Sequence, residues 1–266
     1  MLQCGRLGAG HIPVVFAIIF FINLGVTYVF AVQRTDVDPL FPYVSAAGDH
    51  RPESCFFGLL LNISSFLSML IIYLRYTLVE TLYRGSEPSV DKVNLVSTVF
   101  GIIGASAMMV IANVQETAVI MIHLISAVIC FGCGNFYMYM QSWITLRMHP
   151  LYTNRRIGVI RTFIAVMSTV TFFSSIGFGW YAQHVYHQYY PSLPTPRPWT
   201  RKYWQPGYEF HVISAISEWT MAVMNVCFLL SYSRDFEKIK VTMTTQSLVT
   251  HLDHSPIYRS MEELDA

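Results

Sequence analysis

Apolar positions gather along the chain in six long stretches, at about 12–32, 54–73, 93–112, 118–144, 162–181 and 212–232, separated by polar segments. A helix that crosses the hydrocarbon core needs roughly 20 mostly apolar residues. The stretches are too long and too uniformly apolar for the two-residue alternation of a membrane barrel. The pattern predicts an all-α bundle of six transmembrane helices over 1–233, followed by a polar, mobile tail over 234–266. The fourth stretch exceeds the usual length, so tilt or projection beyond the bilayer is expected.

Lys and Arg are unevenly shared between the two sides. Twelve fall on the side of the termini, Arg75, Arg147, Arg155, Arg156 and Arg161 among them, against five on the other: Arg34, Arg51, Arg197, Arg201 and Lys202. Basic residues favour the cytosolic side, so both termini are expected to be cytosolic. The first stretch is too long for a cleavable signal, and no small-residue cleavage site follows it.

Composition agrees: 53% of residues are hydrophobic and 12% charged, against about 25% charged in soluble domains. The net charge of +1 gives no basic surface for nucleic acid. Of five cysteines, only Cys55 lies at the non-cytosolic boundary, so no disulfide framework is implied. Cys130 and Cys133 have CxxC spacing but sit in an apolar helix without a second ligand pair, and read as packing. No metal and no cofactor is expected.

Two non-cytosolic loops carry pattern. Gln33–Glu53 holds Pro39, Pro42 and Pro52 with Gly48, a composition that fixes turns and reads as a rigid lid or a binding loop. Gln183–Tyr208 holds five prolines with Tyr186, Tyr189, Tyr190, Trp199, Tyr203 and Trp204. Those rings suit the headgroup zone, with or without a partner. The link near Asn113–Thr117 is short, which makes the third and fourth spans a tight hairpin.

Ionisable groups at membrane depth are costly and face the bundle interior. His211, Ser214, Glu218 and Asn225 share one face of the sixth span at helical spacing. Glu218 lies roughly 13 Å along the helix from Glu209. Glu116 and His123 open the fourth span at matching depth, with Ser126, Tyr137 and Gln141 further along. These residues read as interhelical hydrogen bonding, as a lipid or proton site (Glu116, His123, His211, Glu218, Asn225), or as a catalytic set (His123, His211, Glu218). Ser97, Gly101 and Ala105 form a small-residue ridge for close helix packing, and Asn62 reads as a bridge between helices. In the tail, Tyr258-Arg-Ser-Met261 fits the tyrosine-x-x-bulky-hydrophobic form of a sorting signal.

Four segments together resemble one family. They are Asp38-Pro39-Leu-Phe-Pro42-Tyr43-Val-Ser45 with Gly48 and Glu53; Ala112-Asn113-Val-Gln-Glu116; His211-Val-Ile-Ser-Ala-Ile-Ser-Glu218-Trp219; and Tyr232-Ser-Arg234-Asp235-Phe236-Glu-Lys238. The chain resembles the DRAM family, the damage-regulated autophagy modulators, within the wider Frag/DRAM/Sfk group of six-span proteins. The proline-rich loop before the sixth span and the distal tail depart from that pattern.

The resemblance implies a multi-pass protein of lysosomal or endosomal membranes, with a plasma-membrane pool as the alternative, that promotes autophagy. It carries over no catalytic residue. Expected partners are membrane lipids, autophagy or lipid-kinase proteins, and a sorting adaptor through the tail, with no nucleic acid. The leading expectation is a non-enzymatic regulator. The alternatives are a sphingolipid-type hydrolase with a lumen-facing His/Glu site and a proton-linked lipid or ion carrier.

Overall fold

The computed structural model describes residues 8–40, 42–83, 87–196 and 201–241. The elements are α1 (His11–Gln33), α2 (Val44–Ala47), α3 (Glu53–Tyr83), α4 (Pro88–Asn113), α5 (Ile120–Arg147), α6 (Arg155–Tyr189), α7 (Tyr208–Leu230) and α8 (Ser233–Phe236). Six helices are long and apolar enough to cross a membrane, and no strand occurs among the described residues. The all-α, six-helix expectation holds. The sorting signal at Tyr258 and Met261 lies outside the described residues, as do Cys4, Arg6, Arg84, Arg197 and Arg259.

The long helices pack in chain order, α1–α3–α4–α5–α6–α7, and α7 returns to α1. They close into a ring, with α5 and α7 facing each other across its middle. One end gathers both ends of the described chain: the Ala9 N–H donates to the carbonyls of Phe236 at 3.2 Å and Ile239 at 3.1 Å. Gly8 makes that junction possible. Its φ is +55°, and a Cβ there would lie 2.6 Å from the Ile239 carbonyl oxygen. The opposite, far end gathers the described parts of the links between α1 and α3, α4 and α5, and α6 and α7.

Several helices outrun their apolar cores. α3 continues to Tyr83, and α6 is 35 residues long, about 52 Å at the helical rise. A hydropathy window stops at Arg75 or Arg161, but the backbone does not. Both arginines turn inward and are fully buried.

They meet Asp235 there. Arg75 Nη1 donates to Asp235 Oδ2 at 3.2 Å, and Arg161 Nη2 donates to the same oxygen at 2.7 Å. The remaining guanidinium donors are taken up at short range. Arg75 Nε reaches Gln141 Oε1 at 3.0 Å, Arg161 Nη1 reaches Thr145 Oγ1 at 2.9 Å, and Arg161 Nε reaches Ser231 Oγ at 2.8 Å. The Tyr232 ring lies against both cations, 5.1 Å from Arg75 and 4.5 Å from Arg161. Gln141 passes the network on to Ser97 Oγ at 2.8 Å. The bundle therefore extends past the expected boundary at 233: α8 is docked, and Phe236 is fully buried.

Small residues set the approach of α4 to its neighbours. A Cβ on Gly101 would lie 3.0 Å from the Tyr137 ring of α5 and 3.1 Å from Ile72 of α3. One on Gly104 would lie 3.1 Å from the Cys130 carbonyl oxygen. Cys130 and Cys133 thus sit at a helix contact, and Ser97, Gly101 and Ala105 are buried along the ridge. Asn62 and Asn113 exchange amide hydrogen bonds at 3.2 and 3.0 Å, which ties α3 to α4.

Candidate functional site

The ring encloses a cavity of about 710 Å³, inside the range of about 300–1,000 Å³ usual for ligand pockets. It runs along α7 from His211 to Phe228, about 26 Å at the helical rise. Its walls are mainly apolar: Phe16, Phe20, Phe57, Met108, Phe131 and Leu229 are representative. The polar side chains concentrate towards the far end.

That end is assembled by the first loop. Trp219 Nε1 donates to the Pro42 carbonyl at 2.7 Å, and the Tyr28 hydroxyl to the Pro39 carbonyl at 2.8 Å. Tyr28 and Trp219 also pack edge to face, with centroids 6.0 Å apart. Glu53 is buried and pairs with Arg34 at 3.1 Å, and Asp49 Oδ1 accepts from the Thr117 N–H at 2.9 Å. The Asp38 carboxylate holds the Leu40 N–H at 2.9 Å. Gly48 packs directly against Phe57, where a Cβ would collide with the ring. Ser45 reaches the cavity from α2. The motif residues thus build the lid, and the prolines place its carbonyls over α1 and α7.

Tyr43 turns into the cavity. Its hydroxyl donates to Ser214 Oγ at 2.7 Å, and Ser214 donates to the Ser175 carbonyl at 2.6 Å. Burial raises the Tyr43 pKa far above the ordinary phenol value, and the nearby Glu218 and Glu116 carboxylates push the same way. The phenol therefore stays protonated and serves as a donor. The His211 ring stands edge-on to Tyr43 at 4.9 Å.

Glu218 lines the cavity two turns deeper than His211. Its carboxylate accepts from the backbone N–H groups of Val44 and Ser45, at the start of α2. Glu116 and His123 line the opposite wall. His123 Nδ1 donates to the Val114 carbonyl at 2.6 Å, which closes the hairpin between α4 and α5. Asn225 lies deeper still, donating to Ser168 Oγ at 3.3 Å and the Met221 carbonyl at 2.9 Å.

All five residues expected at a lipid or proton site, Glu116, His123, His211, Glu218 and Asn225, therefore line one cavity. They converge because α5 and α7 face one another across it. Among the described residues, no hydrogen bond joins His123, His211 and Glu218.

Two lining residues were not singled out from the sequence. Asn23, on α1, is fully buried, and neither its Oδ1 nor its Nδ2 has a hydrogen-bond partner. It sits five residues below Tyr28, and Asn225 sits six below Trp219, so the two amides share one depth. Each unpaired polar atom in such a place costs about 1–3 kcal/mol. The signal was a lone amide in the run Phe20-Phe-Ile-Asn23-Leu.

Arg201, from the last loop, is the other. It is 4% exposed, donates to the Ala182 carbonyl at 3.0 Å and the Pro206 carbonyl at 2.7 Å, and lies over the Tyr186 ring at 5.1 Å. Burial lowers its pKa from the ordinary arginine value. Gly207 admits it: φ is +81°, and a Cβ would lie 2.9 Å from the guanidinium. This loop was expected at the headgroup surface; Tyr203 and Trp204 are exposed as that requires, while Arg201 plugs inward.

The cavity also has a side opening. Leu124 and Val128 of α5 and Ile176 and Trp180 of α6 line it while remaining 46–66% exposed. The tight α5–α6 contact lies at the terminal end, where Leu146 fits against Gly158.

A ring of six long apolar helices around a polar-headed cavity defines a polytopic membrane protein with an internal chamber. The chain belongs to the family described as Frag1/DRAM/Sfk1/Cwh43P N-terminal domain, whose model matches residues 8–239. It is 32% identical over 224 residues to human DNA damage-regulated autophagy modulator protein 1, covering 83% of this chain and 88% of that one. It is 29% identical over 235 residues to rat DNA damage-regulated autophagy modulator protein 2, with 87% and 85% covered. Modulator of macroautophagy TMEM150B of Danio rerio is 29% identical over 152 residues, with 56% and 63% covered. No solved structure matches the chain.

Proposed function

We propose that this protein modulates autophagy from lysosomal or endosomal membranes, as a non-enzymatic regulator that holds a membrane lipid in its central cavity. The observation that carries the reading is the cavity itself. It is about 710 Å³ in volume, apolar along its length and polar at one end, and it opens between two membrane-facing helices. A water-filled chamber does not need apolar walls, and an empty one does not need an unpaired amide in its wall. The names of the relatives supply the cellular process.

The excess of Lys and Arg on the terminal side supports cytosolic termini, which puts the polar end of the cavity in the lumenal half. That topology also leaves Tyr258 and Met261 in the cytosol, where a sorting adaptor reads such signals. Autophagy or lipid-kinase proteins are the partners that fit the cytosolic face.

The test uses cells that lack the protein, with autophagic flux and localisation as readouts. Re-expressed wild type is expected to restore flux and to concentrate on lysosomes or endosomes. Tyr258→Ala is expected to shift the protein to the plasma membrane. Unchanged flux in the deficient cells contradicts the process, and an unmoved Tyr258→Ala protein contradicts the sorting role.

A further inference from the structure

The polar end of the cavity holds more acid than base. Two carboxylates, Glu116 and Glu218, line it against one guanidinium, Arg201, while His123, His211 and the protonated Tyr43 add no anion. Arg201 forms no ion pair among the described residues; the carbonyls of Ala182 and Pro206 and the Tyr186 ring take it up. Glu116, in the α4–α5 link, and Glu218, on α7, line the same end of the cavity. Two carboxyl groups lining one mainly apolar chamber favour a cation beside them.

Independent of charge, Asn23 points to an occupant. It is fully buried, it lines the same cavity, and both its amide atoms lack partners. It lies about six residues, or roughly 9 Å, deeper than Glu218 along the bundle. The cavity's shape is a third constraint. A volume of about 710 Å³ extends over about 26 Å of α7, an elongated space that suits an extended hydrocarbon chain.

We propose that the cavity binds an elongated amphiphile whose head is a protonated amine. The ammonium sits at Glu218, facing Glu116 across the cavity. The chain runs towards Phe228, and a polar group part-way along it meets Asn23. Entry is lateral, between Leu124 and Val128 of α5 and Ile176 and Trp180 of α6, so the ligand never leaves the bilayer. This inference rests on the lipid-holding reading of the cavity and adds the charge of its ligand's head.

The test compares three probes of equal chain length, octadecylamine, octadecanol and octadecanoic acid. Each binds to the full-length protein in phosphatidylcholine nanodiscs at neutral pH, with occupancy read by native mass spectrometry. Ala127→Trp, which obstructs the channel, gives the background. The amine is expected to bind at least ten-fold more tightly than the alcohol, with the acid weakest. Glu218→Gln, shown to be folded by a monodisperse size-exclusion profile and cooperative thermal unfolding, is expected to lose the preference for the amine over the alcohol. An acid that equals or exceeds the amine overturns the charge assignment while leaving the lipid-holding reading intact. If none of the three binds above the Ala127→Trp background, that reading falls together with the inference.

Discussion

Replacing Asp235 by alanine is expected to destabilise the protein by about 3–5 kcal/mol, the usual result of removing one partner from a buried ion pair. The reason is the arrangement of charge at the terminal end. Two fully buried guanidinium groups share one carboxylate oxygen, at 3.2 and 2.7 Å. Without it, two positive charges face each other with only neutral partners. The loss also releases α8, which holds Phe236 in the core and meets the chain start at Ala9. Thermal unfolding in detergent is the measurement, with a fall of roughly 6–20 °C expected for a chain of this size. The double variant Asp235→Leu with Arg161→Leu is expected to recover at least half of that fall, since it removes one orphaned cation along with its anion. A single variant within about 1 kcal/mol of wild type contradicts this account of the network.

Ala127→Trp is expected to abolish the effect on autophagic flux while leaving the protein folded. Ala127 lines the cavity from α5, beside the opening towards α6. Ala127 also packs against the apolar core, so the ring occupies cavity space at an overpacking cost of at most about 1–3 kcal/mol. The ring takes the room a hydrocarbon chain needs. Flux after re-expression in deficient cells, alongside the unfolding temperature, separates a blocked site from a broken protein. Full rescue by a correctly localised, stable Ala127→Trp protein contradicts a role for the cavity.

The six spans were legible because each carries an apolar window long enough to cross a bilayer. Their ends were not. A window closes at Arg75 and Arg161, whereas the helix keeps both by turning them onto Asp235, a partner 160 and 74 residues away in the chain. Sequence spacing holds no trace of such pairs. The stripe of His211, Ser214, Glu218 and Asn225 was legible because residues three, four and seven apart share a helix face. Its meeting with Glu116 and His123 was not, because it depends on a ring that sets α5 opposite α7. Asn23 had only Thr27, four residues on, as a polar companion at helical spacing, and its depth and unpartnered amide give it meaning. Arg201 read as one more loop charge until Gly207 let it fold inwards.

Native mass spectrometry of the wild-type protein, purified from its own membrane in mild detergent, tests the lipid-holding cavity most directly. One lipid retained per chain, and lost from Ala127→Trp prepared in parallel, is the expected result. A bare wild-type protein, or the same lipids at the same occupancy on both proteins, contradicts it.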